Sequence, residues 1–401
     1  APGGEMRLFK WLTSGRPPET LSDEIEAAPT VQNSRLTSED WELEPDHVIS
    51  LREKLSSKGK SLRKYAGKAI NRGVTTGFND AFVISSAQRD KLIAEDASSA
   101  ELIYPFLQGT HVRSWNLEQS DTHIIFARRG VDVERYPAIL NHLAQWREQL
   151  EPKPGDWSKG SWPGRKAGPY KWFEIQDSTE YWKDFFAPKI VWPDITNRPR
   201  FAFDTSGSFV ADTALIIPTD DAYLHGVLSS WTTWFFISKT AQPLRLRSDR
   251  WQYRLKAQYM SNIPIPDAPE PERQAIADLA RTCSTLGQER YQAQIKVQRR
   301  LRDAFAGASA NPLNQKAEAW WEHDLIPLGE ALKQSFKLPS NPMKNPRTAD
   351  EWESYLVEKR AEQTRLTAAL NAAEAEINDR VYRLFDLTPD EIRLLQKEVE
   401  H

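Results

Sequence analysis

Between Lys239 and Lys256 the chain reads KTAQPLRLRSDRWQYRLK, with Lys239, Arg245, Arg247, Arg250, Arg254 and Lys256 set against a single Asp249. Leu244, Arg245, Leu246 and Arg247 alternate with a period of two. On a strand, both guanidiniums then project from one face and both leucines bury on the other. A guanidinium fork contacts guanine edges or phosphates with two hydrogen bonds at once, which makes Arg245, Arg247 and Arg250 candidates for binding DNA. A solvated charged edge strand carries the same pattern. A second stretch, KPGDWSKGSWPGRKAGPYKWF from Lys153 to Phe173, sets Lys153, Lys159, Arg165, Lys166 and Lys171 among Trp157, Trp162, Tyr170 and Trp172. Its cations suit phosphates and its aromatics suit stacking. A surface loop with the tryptophans folded beneath it and the lysines solvating it fits equally well. The third stretch runs from Arg72 to Asp80. There Gly73 and Gly77 permit positive φ or a close backbone approach, and Arg72, Thr75, Thr76 and Asn79 offer donors. An ordinary polar hairpin loop has this composition too.

No set of residues for making or breaking bonds accompanies these stretches. The seven His residues show no paired zinc spacing, and Asp194 has no Glu-x-Lys partner within reach for a metal-dependent nuclease. Cys283 is the only cysteine, which excludes a disulfide framework and a thiolate metal cluster. The sequence therefore supplies neither a catalytic nor a metal site.

The elements that must position the basic stretches follow from pattern. At 401 residues and a formal net charge of -3, the chain is long enough for two or three units, and any affinity for nucleic acid must come from local patches. Fifteen Trp and 26 Pro point to deep cores or stacking surfaces and to many ordered loops. Residues 1–59 form an approach segment ending in a helix over Val48 to Leu62 that Gly59 stops. Residues 60–266 alternate short strands with long loops, the strands including Ala69-Ile70, Ala81 to Ile84, Ile124 to Phe126, Lys189 to Trp192, Phe201 to Phe203, Phe209-Val210 and Leu215 to Ile217. Helices interrupt them over Tyr136–Leu150 and Asp221–Ser238. Residues 267–401 shift to Ala, Glu, Gln, Arg and Leu, the mix of long helices. Ile276, Leu279, Cys283 and Leu286 recur at helical spacing, which puts Cys283 in a core. Leu366, Leu370, Ala373, Ile377, Val381 and Leu384 alternate by four and three, the spacing of a coiled-coil seam. Between these arms Ala317–Phe336 reads as a helix broken by Pro327. The fold class is thus α+β, a β-rich unit followed by long antiparallel helices. No apolar run approaches the length of a membrane span, and the unpaired cysteine suits a reducing cytoplasm. The start at Ala1-Pro2-Gly3-Gly4 reads as the C-terminal part of a longer protein or a processed chain.

Gly73-Val74-Thr75-Thr76-Gly77-Phe78-Asn79-Asp80-Ala81-Phe82 resembles the G-[IV]-x-T-G-x-N-x-A-F block of the TaqI-like C-terminal specificity domain. That domain belongs to prokaryotic adenine-N6 DNA methyltransferases and type IIG restriction-modification enzymes. Further matches lie at Gln32 to Leu36 and Trp41, Tyr104 to Gly109 and Val112, Ala187 to Ile190, Tyr223 to Ser230, and Tyr259 to Pro266. The last part of the chain, Glu376 to Thr388, resembles the helix that closes many such methyltransferases. The resemblance implies a unit that recognises double-stranded DNA, held by helical arms against a methyltransferase domain that lies upstream or acts in trans and uses S-adenosylmethionine. Phage-defence methyltransferases of the BREX type, with their partner proteins, fall within it. Such an enzyme needs a glycine-rich cofactor loop and an Asp/Asn-Pro-Pro-Tyr motif, and this chain has neither. Catalysis and the cofactor are therefore expected outside it. A stand-alone type I-like specificity subunit and a helical protein-interaction scaffold are the alternatives.

Overall fold

The computed structural model describes residues 5–7, 21–28, 30–32, 44–158, 160–247, 249–307 and 311–400. Lys159, residues 33–36 and Trp41 lie outside them.

The strands Lys189–Pro193 and Ala214–Pro218 are near-continuous apolar runs, and a run of that kind fits a strand buried on both faces. They pair antiparallel at the centre of a four-stranded sheet, with Ala202–Asp204 on one side and Asn71–Arg72 on the other. Because side chains alternate across a strand, the two faces feed different cores. Ile190, Trp192, Leu215 and Ile217 join one, while Val191, Ala202, Ala214 and Ile216 join the other. The second core is closed by another sheet, in the order Phe209–Val210, Ile103–Leu107, Thr122–Ile125, Val83–Ser85, of which only the first pairing is parallel. One edge is fixed by a buried ion pair, Lys189 Nζ to Asp204 Oδ2 at 2.6 Å. The ammonium also donates to the Phe185 carbonyl, and Asp204 accepts from the Ser206 amide and hydroxyl.

Two expected strands differ from what forms. Asn79–Phe82 is a helical turn, closed by the Val83 amide on the Asn79 carbonyl, that buries Ala81 and Phe82; the strand begins only at Val83. Ahead of the glycine loop, the paired residues are Asn71–Arg72 rather than Ala69-Ile70.

The first core is completed by helices. Asp46–Lys58 buries Val48, Ile49, Leu51 and Leu55, and Gly59 caps it. The helix expected over Asp221–Ser238 is split into Ala222–Leu228 and Trp231–Thr240, because the Ser230 side chain accepts from the Thr233 amide and starts a new helix. Two long arms, Glu270–Phe305 and Pro346–Leu384, run out and back. Their near ends, Ile276 to Cys283 and Leu370 to Val381, pack into the first core. Their far ends, Val297 with Leu301 and Trp352 with Leu356, close a separate small core around Trp320. Cys283 is fully buried, and so is the seam of Leu366, Leu370, Ile377 and Val381. Pro327 does not break a helix. It sits in the first turn of Leu325–Phe336, where its missing N–H has no intrahelical partner to lose. The closing helix Pro389–Glu400 starts with a capping box, Glu391 accepting from the Thr388 amide and Thr388 accepting from the Glu391 amide.

The first core holds a histidine whose protonation costs stability. His225 is buried between Trp115 and Phe203 and donates from Nε2 to the Phe201 carbonyl, so it folds neutral; burial pushes its pKa down to about 4. An unfolded chain takes up this proton near the ordinary histidine value, whereas the native state resists it. The stability is thus fully present above roughly pH 6.5 and is lost as pH falls toward 4, at about 1.4 kcal/mol per unit, on the order of 3 kcal/mol in all. Urea midpoints measured between neutral and mildly acid pH are expected to fall in the native protein. In His225→Gln they are expected to fall less steeply.

Candidate nucleic-acid interface

The strands Gln242–Arg247 and Arg250–Arg254 form an antiparallel ribbon, with Ile195–Thr196 as a third strand at its base. Its tip turns through Asp249, whose φ of 56° is left-handed. The register places Arg245 opposite Gln252 and Arg247 opposite Arg250, so these four residues and Arg254 share one face. Leu246, Trp251 and Tyr253 share the other, where Tyr253 packs edge-on against Trp234. The arginines thus share a face as their alternation predicts, but the leucines do not bury. A bulge between Pro243 and Arg245 takes Leu244 out of register, and Leu244 and Leu246 stay 36 and 37% exposed. Every residue of the first strand is exposed.

Two like charges directly opposite each other weaken a strand pair, and Arg247 with Arg250 is such a pair. Folding does not explain it. Arg247, Gln252 and Arg254 line a cleft of about 800 Å³ together with Arg72, Arg113 and Arg200. The carboxylates there are Asp194, which pairs with Arg254 at 3.5 Å, and Asp212, which faces Arg72 at 3.4 Å. Arg72 also donates from Nε to the Asp212 carbonyl, and lies on the exposed edge strand rather than at a loop tip.

The other candidates gather elsewhere. Arg165 is 3% exposed, and its guanidinium makes five hydrogen bonds to backbone carbonyls: Leu150, Thr76, Glu174, Lys171 and Trp172. Burial lowers its pKa to about 10, still charged at neutral pH, and its donors are already committed within the fold. This arginine organises the loop from inside instead of facing solvent. It also accounts for Gly77, which has a φ of +82° and would bring a Cβ to 2.7 Å from Arg165 Cδ. Thr76 is buried and donates to Asn79 Oδ1, and the Thr75 and Thr76 carbonyls accept from the Asp177 and Gln176 amides. The glycine loop is therefore built onto the 165–177 segment. Only Arg72, from the strand before it, lines the cleft beside the ribbon, so loop and ribbon do not form a single concave face. Lys166 and Lys171 are exposed cations on the outside. Trp157 and Trp162 are half-buried against each other at 4.8 Å, and Trp172 lies under Arg147, so the tryptophans fold beneath the loop.

Sequence reasoning passed over Arg113, Arg198, Arg200 and Arg290. The Arg198-Pro199-Arg200 run was a visible signal; the other two come from distant segments and signal nothing alone. Burial, then the nearby Arg113 and Arg198, push Arg200 down to about 10, and burial with Arg250 and Arg113 lowers Arg198. Among the described residues no three His, Cys, Asp or Glu side chains gather closely enough to hold a metal ion. No helix among them is long and apolar enough to cross a membrane.

Residues 104–265 match the family model of the TaqI-like C-terminal specificity domain. The Gly73–Phe82 block lies before the matched residues. Residues 269–381, the two arms, match a domain of unknown function, DUF8810. No curated protein matches the chain. Solved structures similar to it include the type IIL restriction-modification enzyme MmeI in complex with DNA, at 14% identity and a TM-score of 0.43, covering 83% of this chain and 35% of that one. The chain thus spans little more than a third of that enzyme's length.

Proposed function

We propose that the chain is the target-recognition region of a cytoplasmic restriction-modification enzyme and binds double-stranded DNA in the cleft beside the arginine ribbon. The observation that carries the reading is the ribbon itself. A two-stranded ribbon fits the major groove of B-DNA, and this one keeps four arginines and Gln252 on one face at the expense of a repulsive cross-strand pair. The TaqI-like specificity domain supports the same conclusion. Arg245, Arg247 and Arg250 would reach base edges and phosphates, Arg72 would face the same duplex across the cleft, and the exposed Lys166 and Lys171 would add backbone contacts. Adenine-N6 methylation with S-adenosylmethionine would belong to a methyltransferase domain outside these residues, joined through the arms, and phage defence would be its purpose.

Fluorescence anisotropy with random and site-containing duplexes over a salt series tests this. The expected result is binding whose log affinity falls with log salt by about 0.9 for each phosphate neutralised. Absence of duplex binding at low salt, or an affinity indifferent to salt, would overturn the reading.

A further inference from the structure

Where the arms meet the recognition unit, three segments enclose a small cavity of about 140 Å³ lined by Arg113, Asn116, Arg198, Arg200, Arg290 and Tyr291 among others. We propose that this cavity is a built binding site for a phosphate group, and that the first helical arm thereby takes part in holding the nucleic acid backbone.

The wall segments are tied to one another and to the arms. Gly287 of the arm would bring a Cβ to 3.2 Å from Trp115, so its absence lets the Trp115-Asn116 turn lie directly on the helix. Trp115 donates from its indole to Glu374 of the second arm and from its amide to Phe201, and Ser114 donates to the Pro199 carbonyl. Tyr291 accepts from the Gln119 amide, which leaves its own proton free to donate.

What the walls present is almost entirely donors. The one carboxylate, Glu118, is taken by Arg113 in a bidentate pair at 2.8 and 2.9 Å. Among the described residues the guanidiniums of Arg198, Arg200 and Arg290 make no hydrogen bond or close ion pair, although burial disfavours the charge on each; Glu374 and Glu118 favour the charge on Arg290 and Arg200 only from beyond ion-pair distance. Asn116 is 7% exposed, lines the cavity, and leaves its Nδ2 buried without an acceptor. An unmet buried donor and three guanidiniums without a hydrogen bond around one small space call for an anion with several acceptor oxygens. The cavity is too small for a nucleotide and suits a single tetrahedral phosphate. Arg113 and Arg200 also line the cleft beside the ribbon, so a phosphodiester of a duplex in that cleft is one source. A free phosphate is the other. The first source rests on the proposed function; the site itself does not.

The test uses the full chain with Arg200→Gln, Arg290→Gln and Arg290→Lys. One arm measures the melting temperature against inorganic phosphate, the other duplex anisotropy over a salt series. Inorganic phosphate is expected to raise the melting temperature of the native protein and of Arg290→Lys, but not of the two glutamine variants. The salt slope for duplex binding is expected to fall by about one in each glutamine variant, equally for all sequences, and to hold in Arg290→Lys. Phosphate stabilisation with an unchanged duplex slope would assign the site to free phosphate. No stabilisation by phosphate together with an unchanged slope would overturn the site. If the native chain binds no duplex at all, the target-recognition reading fails, and the phosphate arm still decides the cavity.

Discussion

Arg165→Ala is expected to cost about 4 kcal/mol of stability, a large share of the roughly 5 to 15 kcal/mol that holds a domain together. The guanidinium is the common donor for five carbonyls drawn from three segments, the end of the Arg147–Leu150 helix, the glycine loop and residues 171–174. Its removal takes a donor from all five, of which only the Thr76 and Lys171 carbonyls keep another, the amides of Gln176 and Glu174, and it opens space under Tyr170 and Phe82, which stack on it at 4.5 and 5.6 Å. Arg165→Lys keeps the charge but has one nitrogen in place of a planar fork, so it should recover only a minor part. Lys166→Ala, next to it and exposed, should change stability by less than about 0.5 kcal/mol. Urea denaturation of the three variants separates the roles. An Arg165→Ala protein with a native midpoint and weakened DNA binding would show that this arginine faces a ligand after all.

That contrast shows why the sequence was legible in some places and not in others. Helical spacing made both arms and the burial of Cys283 and Ile377 readable, because a face repeating every 3.6 residues has only one way to hide. The strands Lys189–Pro193 and Ala214–Pro218 were readable for a similar reason, being apolar on both faces. Arg165 and Lys166 are alike as letters, and what separates them is a set of backbone carbonyls contributed by residues up to 89 positions away. Backbone acceptors leave no mark in composition. The LRLR alternation did give the shared face of Arg245 and Arg247, but a bulge spoiled the inference about the leucines, since one extra residue suspends the period-two rule. The cavity at the arm junction was the least legible feature, as Arg113, Arg198 and Arg290 become neighbours only through tertiary packing.

Removing the facing pair at the ribbon tip, in Arg247→Ala/Arg250→Ala, is expected to move stability and DNA affinity in opposite directions. Two cations held opposite each other on an exposed ribbon repel, so their loss should leave the fold unchanged or raise its stability by a few tenths of a kcal/mol. In a groove, each guanidinium that makes a bidentate contact is worth about 1 to 3 kcal/mol, so duplex affinity should fall roughly tenfold to a hundredfold per arginine. Arg245 differs in being steered beforehand, its Nε donating to Gln252 Oε1 at 2.8 Å across the ribbon. A fork oriented in this way is suited to reading a base edge, and Arg245→Ala should relax the choice of sequence more than it weakens binding to random duplex. Selection of bound fragments from a randomised duplex pool, with urea midpoints taken on the same preparations, reads both quantities. A double variant that loses stability and keeps its affinity would mean that the pair serves the fold. A selected motif unchanged in Arg245→Ala would mean that the ribbon holds DNA without reading it.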